Sequence, residues 1–313
     1  MSDYLDNTGR PDVLSGGIRM IPIETPAGTF RVWTKRTGNN PSCRVLLLHG
    51  GPGATHEYLL GFDSFLPAAG VEYYYYDQLG SGWSDRPDDP ALVDLDRYVD
   101  EVEQVRAALG LDAFFLYGQS WGGILGIEYA LAHPEHLSGL VISNMMASIP
   151  AYNAYADEVL IPGLDADRVA EIKALEAAGD TSNPRYEELL LAEHYVKHVL
   201  RLPVEQWPEP VARSFGRINH DVYVPMQGPS ELGASGALVE WDRFEDLARI
   251  EVPTLVIGAT HDTMDPAHLR AMADRLPHGD YLHCPDGSHL SMYDDQQTYM
   301  TGLVAWLHTQ SRR

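Results

Sequence analysis

The pattern with the most chemistry in this sequence is Gly118-Gln119-Ser120-Trp121-Gly122. It follows a short apolar run, Phe114 to Tyr117, and precedes a helix-forming stretch, Gly123 to Ala132. A serine in that context reads as a nucleophile on a sharp strand-to-helix turn. The turn strains the backbone and packs closely on either side, so only residues without a Cβ fit next to it. Ser120 is the predicted nucleophile.

A serine hydroxyl attacks poorly at neutral pH unless a histidine removes its proton and a carboxylate holds that imidazole. In the chain order serine, acid, histidine, the acid is expected just past a late strand. Asp262 meets this, closing Gly258-Ala259-Thr260-His261-Asp262 after the apolar run Pro253 to Gly258, with Asp265 as the nearby rival. Among thirteen histidines, position selects His289, in Pro285-Asp286-Gly287-Ser288-His289 before the final helical segment. His278 and His283 lie before or within a predicted last strand, Asp280 to Cys284, and are read as structural.

Attack on a carbonyl builds an oxyanion that needs two backbone N–H donors, each worth roughly 3 kcal/mol. Trp121, directly after the nucleophile, is one source. The glycine-rich turn His49-Gly50-Gly51-Pro52-Gly53 is the other, with Gly51 preferred to Gly50 and His49 read as a turn-stabilising side chain. The cluster His133-Pro134-Glu135-His136 is interrupted by proline and has no metal-ligand spacing, and no phosphate loop or dinucleotide fingerprint occurs. This chemistry calls for no metal and no cofactor.

These groups must be positioned by a sheet. Arg44 to Leu48, Val71 to Tyr76, Phe114 to Tyr117, Gly139 to Ser143 and Pro253 to Gly258 are short apolar runs stopped by glycine or polar turns, as buried parallel strands are. The tetratyrosine Tyr73 to Tyr76 belongs to one of them. Helical patterns alternate with the strands, clearest over Leu95 to Leu109. About a hundred residues separate the strands at Ser143 and Pro253; they look helical at Asp165 to Ala178 and Arg185 to Leu200, with Pro203, Pro208 and Pro210 as breakers. The expected architecture is an α/β-hydrolase fold: a mostly parallel central sheet, helices on both faces and an inserted helical cap. The expected division is core 1–147, cap 148–247 and core 248–313.

Composition narrows the partners. Forty-five acidic against 22 basic side chains give a net charge of −23, which disfavours nucleic acid and anionic membranes. No apolar stretch approaches the ~20 residues of a membrane helix. Met1 to Arg10 lacks the order of a secretion signal, so a cytoplasmic location is expected. The two cysteines, Cys43 and Cys284, are expected as free thiols. No heptad run marks a coiled-coil partner, and the oligomeric state stays open.

Three motifs in register resemble the proline iminopeptidases and their relatives, including the tricorn-interacting aminopeptidase and the amino-acid amide hydrolases. His49 to Gly53 is similar to the family's H-G-G-P-G, Asp77-Gln78-Leu79-Gly80-Ser81-Gly82-Trp83-Ser84 to its D-Q-x-G-x-G-x-S, and Gly118 to Gly123 to its G-Q-S-W-G-G. In the predicted cap, Gly228-Pro229-Ser230-Glu231 and the later Trp241-Asp242 resemble its G-P-x-E and W-D segments. The resemblance implies that Glu231 binds the free amino group of a substrate. It departs at Leu79, where many members carry arginine, and at Thr263, where several carry a second glutamate for the amine. A proline pocket is expected from Asn144 to Met146 and from aromatic residues of the cap. The implied activity is release of an N-terminal residue, preferably proline, from a small peptide or amide through an acyl-Ser120 intermediate. An amino-acid amide hydrolase or related small-molecule hydrolase is the alternative. A non-catalytic binding module is the remaining reading, and the presence of Ser120, Asp262 and His289 argues against it.

Overall fold

In the computed structural model, which describes residues 7–312, the apolar runs pair into one eight-stranded sheet. Its strands are β1 (Ile18–Thr25), β2 (Gly28–Thr37), β3 (Arg44–Leu48), β4 (Glu72–Asp77), β5 (Phe114–Gln119), β6 (Leu137–Ser143), β7 (Thr254–Ala259) and β8 (Gly279–Cys284). Their spatial order is β1-β2-β4-β3-β5-β6-β7-β8. From β4 to β8 every neighbouring pair is parallel. Met1 to Asp6, part of the segment read for a secretion signal, lie outside the described residues.

Both faces of the parallel strands are buried. Leu46, Leu48, Leu116, Ile142 and Val256 pack on one side. Their neighbours Val45, Leu47, Phe115, Val141 and Ile257 pack on the other. Period-two alternation with apolar residues at both phases reads in sequence as a continuous apolar run. Each such side chain contributes about 1.5–3 kcal/mol on burial. The tyrosines of β4 obey the same alternation, and their hydroxyls find carboxylates: Tyr73 and Tyr75 on Asp63, Tyr74 on Glu72 and Tyr76 on Glu101.

Helices cover the sheet. α1 (Leu95–Leu109) begins where the Asp94 carboxylate accepts the Arg97 N–H at 3.1 Å and ends at Gly110, whose φ of 68° closes the last turn. With α2 (Trp121–Ala132) it lies on the Leu46 side. Between β6 and β7 the chain is mainly helical, with α3 (Ile149–Tyr155), α4 (Ala166–Ala177), α5 (Pro184–Leu190), α6 (Glu209–Phe215) and α7 (His220–Met226), further helical turns and one isolated β-bridge, Ser148 to Asp242. The helix expected over Arg185 to Leu200 runs as α5 and then widens into π-helical turns, Leu191–Val199. α8 (Pro266–Arg275), the short α9 (Ser291–Asp294) and α10 (Gln296–Gln310) complete the chain, α10 packing Tyr299, Leu303 and Trp306 on the Val45 side. Among the described residues no helix is long and apolar enough to cross a membrane. Both cysteines are buried free thiols.

The strands β1 and β2 were not anticipated. They form an antiparallel hairpin about Pro26-Ala27, and β2 joins the sheet antiparallel to β4. Ile21, Ile23 and Val32 face the core from them, while Ile18 and Met20 stay exposed at the edge. Pro22 inside the run obscured this strand, although an edge strand tolerates proline.

Candidate active site

The strand order reverses around β3, so the carboxyl ends of β3 and β5 lie side by side, where open α/β sheets place their ligands. Leu48 pairs with Gly118 across this junction. The turns after β3, β5, β7 and β8 therefore share one edge of the sheet.

Ser120 follows β5 with φ 55° and ψ −128°, a region rarely occupied by a residue with a side chain. The flanking glycines are obligatory on steric grounds. A Cβ on Gly118 would sit 1.9 Å from the Gly122 carbonyl oxygen, and one on Gly122 would sit 2.3 Å from that of Leu48. α2 starts directly after Ser120, so the Trp121 N–H has no acceptor within the helix and lies at the positive end of its dipole.

The turn after β3 is the other expected source of an N–H donor. Gly50 N–H is given to Tyr58 Oη at 2.7 Å, whereas Gly51, the expected donor, adopts φ 109°. A Cβ at Gly51 would lie 2.6 Å from Ala54 N, so this backbone also needs glycine. His49 stabilises the turn as expected: Nε2 accepts Gln78 N–H at 3.1 Å, and Nδ1 lies 2.8 Å from the Gly50 carbonyl. Gln78 ties this turn to the start of α2, giving its side-chain N–H to His49 O and accepting Trp121 Nε1–H at 2.7 Å. Gln119 links Tyr58 to the His289 backbone, accepting from Tyr58 Oη at 2.7 Å and donating to His289 O at 3.1 Å.

Asp262 follows β7 and is fully buried; His289 follows β8. His289 Nδ1 lies 2.8 Å from Asp262 Oδ1. The carboxylate can only accept, so Nδ1 carries the hydrogen and Nε2 keeps its lone pair free for a proton. Burial pulls the His289 pKa down, but the Asp262 charge and hydrogen bond outweigh it and hold the imidazole above its usual value. Asp265, the rival acid, caps α8 by accepting Ala267 N–H at 2.9 Å. His283 contacts Thr260 and Tyr281 instead of Asp262.

Ser120, His289 and Glu231 line one cavity of about 480 Å³, including its mouth. Tyr195, Val199, Phe215, Ile218 and Leu290 make most of its wall apolar. Glu231 is the one carboxylate among the described residues lining it. Tyr223 Oη donates to Glu231 Oε1 at 2.5 Å, and Tyr152 Oη holds the Glu231 backbone carbonyl. Burial raises the Glu231 pKa, with nearby His289 and the Tyr223 hydrogen bond opposing that rise.

Two expectations about the pocket change. Asn144, Met145 and Met146 do not line it; all three are buried beneath it, with the Asn144 amide on Asp262 and Met146 Sδ accepting Asp265 N–H. Aromatic residues of the 148–247 stretch, Tyr195, Phe215 and Tyr223, do line the cavity. Thr263 is likewise turned inward, its hydroxyl 3.3 Å from Asp262 Oδ1 and 3.2 Å from His289 Nδ1. Tyr58 and Tyr223 were missed because their partners are distant in sequence or in an unplaced loop. Gln119 was visible in the motif, but its two contacts were not.

Serine, histidine and aspartate thus gather at one sheet edge, and the chain is similar to known hydrolases. A family model described as alpha/beta hydrolase fold matches residues 44–296. Proline iminopeptidases of Chitinophaga pinensis and Flavobacterium johnsoniae are each 50% identical to the chain, across 92% of it and 97% of each relative. Among solved structures, VinJ superposes with a TM-score of 0.87 at 31% identity, and the proline iminopeptidase of Mycobacterium smegmatis with 0.82 at 28%; each covers 94% of this chain and 98% of the other. The chain belongs to the α/β-hydrolase fold family and, within it, to the family of the proline iminopeptidases.

Proposed function

We propose that the protein is a serine aminopeptidase that releases an N-terminal residue, preferably proline, from small peptides or amides. Ser120 attacks the carbonyl, His289 takes its proton and returns it to the leaving amine, and Asp262 orients the imidazole. Gly51 and Trp121 N–H hold the oxyanion. Water then hydrolyses the acyl-Ser120 ester with His289 again as base. The helical stretch 148–247 acts as a cap over the cores 1–147 and 248–313, limiting substrates to small ones. The reading assigns no cofactor to the reaction. The buried free thiols fit a reducing compartment, and the cytoplasm is the proposed location.

The observation that carries the reading is Glu231, a single carboxylate facing a mostly apolar cavity beside Ser120 and fixed by Tyr223. A substrate ammonium entering there gains a charge-assisted hydrogen bond in a water-poor site. Glu231→Gln is expected to lower kcat/KM for a prolyl arylamide by about 10²-fold, from losing one partner of a desolvated charge pair. Hydrolysis of a simple acyl ester, which has no amine, is expected to change less than about threefold. Equal losses on both substrates would remove Glu231 from amine recognition.

A second reading, an amino-acid amide hydrolase, is favoured by the single carboxylate, Glu231, that lines the cavity, Thr263 being engaged with Asp262 and His289. Comparing prolinamide with a Pro-X dipeptide separates the two. Faster dipeptide cleavage is expected; the reverse order would support the amidase.

A further inference from the structure

Asn144, directly after β6, has φ 52°, one of two non-glycine residues with positive φ among those described; the other is Ser120. It is fully buried, and its backbone N–H is held by Ile257 O at 2.9 Å. Asparagine is one of the few residues that tolerates this conformation, so the choice of side chain and the strained backbone belong together. Strain of this kind persists only where the surroundings enforce it.

The orientation of the side chain is chemically determined. Nδ2 lies 2.7 Å from Asp262 Oδ2 and 3.2 Å from Ser288 O, a carboxylate and a carbonyl that can only accept. The NH2 end must therefore face them. Oδ1 accepts from Ser143 Oγ at 2.8 Å and from Ser291 Oγ at 3.2 Å. Ser143 Oγ is backed by Tyr299 Oη, and that by Tyr117 Oη, at 2.8 and 2.6 Å. One amide thus grips the acid and the residue immediately before the base, while Asp262 Oδ1 is given to His289.

We propose that Asn144 is a positioning residue for proton transfer, fixing Asp262 through Oδ2 and the His289 turn through Ser288 O so that Nε2 meets Ser120. It rests on the reading of Asp262 and His289 given above. Without the amide, Asp262 has one anchored oxygen and can turn about it, and the carbonyl ahead of His289 loses its donor. The substrate cavity is untouched, so kcat is affected and KM is not.

Two variants test this, with kcat expressed per active site titrated by a fluorophosphonate. Asn144→Gly relieves the backbone while deleting the amide and is expected to lose about 10- to 100-fold in kcat, with KM within about twofold. Asn144→Asp keeps the shape but donates to Asp262 only while the introduced carboxyl is protonated, since two carboxylates so close hold a proton between them. Its kcat is expected to fall as pH rises through the range where the parent enzyme is flat. The other titratable groups facing this pair and its hydrogen-bond network include Glu231, Tyr152, Tyr155, His194, His198, Tyr281, Cys284, Asp294 and Tyr299, and both variants leave them in place. A residue that served folding alone would lower the titratable fraction and leave both readouts alone. If Asn144→Gly does not fold, the isosteric variant decides. Parent-like kcat per site and a flat profile would overturn the proposal. Asp262→Asn run alongside separates the causes: a near-normal rate there would overturn the role of Asp262 itself.

Discussion

Ser120→Ala is expected to reduce kcat by about 10⁶-fold while the protein folds and binds substrate as before. The hydroxyl is the only atom removed, and it lies at the surface of the cavity on a backbone held by other residues. Ser120 N–H is given to Ser143 O at 3.0 Å and Ser120 O accepts Gly123 N–H at 2.6 Å, and both bonds survive the substitution. The strained φ of 55° persists as well, because Gly118 and Gly122 set it through their contacts with the backbone of α2 and β3. What remains is the oxyanion pair and the binding pocket, which together retain about 10³–10⁴ over the uncatalysed reaction. Steady-state hydrolysis of a prolyl arylamide gives the loss, and equilibrium binding of a proline-containing product shows that the cavity is intact. A loss of less than about 100-fold would place the nucleophile elsewhere.

Asp262→Asn is expected to cost about 10⁴-fold in kcat. An amide in place of the carboxylate can present N–H to His289 Nδ1, which moves the ring hydrogen to Nε2 and leaves nothing to accept the Ser120 proton. The Asn144 NH2 group pushes the same way, since it requires an acceptor on its side of residue 262. The pH profile gives a second signature. His289 works as a base when unprotonated, and the Asp262 carboxylate raises its pKa against the lowering effect of burial. Activity of the parent therefore disappears as pH falls through the His289 pKa, which lies above the usual imidazole value. In Asp262→Asn the raising charge is gone, so the acid limb of the residual activity moves to lower pH. A limb that stays in place would show that another group titrates in it.

The parts of the site that local strain and chain order encode were legible in the sequence. Gly118 and Gly122 announce a turn whose clashes dictate their identity, and Asp262 and His289 are picked out by following the last two strands. The parallel strands were equally plain, because burial on both faces makes them unbroken apolar runs. β1 was hidden by Pro22 and by side chains left exposed at the sheet edge. Asn144 was expected in the pocket: its position after β6 was correct, but its amide meets Asp262 from a backbone of positive φ, and a sequence carries no sign of that. Tyr58 and Gln119 meet across sixty-one residues, and Tyr223 reaches Glu231 through the packing of α7, contacts set by tertiary structure alone. Thr263 was read by its substitution in a motif, yet its hydroxyl is taken up by Asp262 and His289.

The central claim is that Ser120 attacks a carbonyl next to a free amine held by Glu231. It is tested most directly by the ratio of kcat/KM for a prolyl arylamide to that for its N-acetylated form. Blocking the amine removes the charge that meets Glu231 and adds bulk in an apolar cavity, so a ratio of at least about 10² is predicted. A ratio near one, with Ser120 still labelled by a fluorophosphonate, would contradict it and leave a serine hydrolase that does not read the amino terminus.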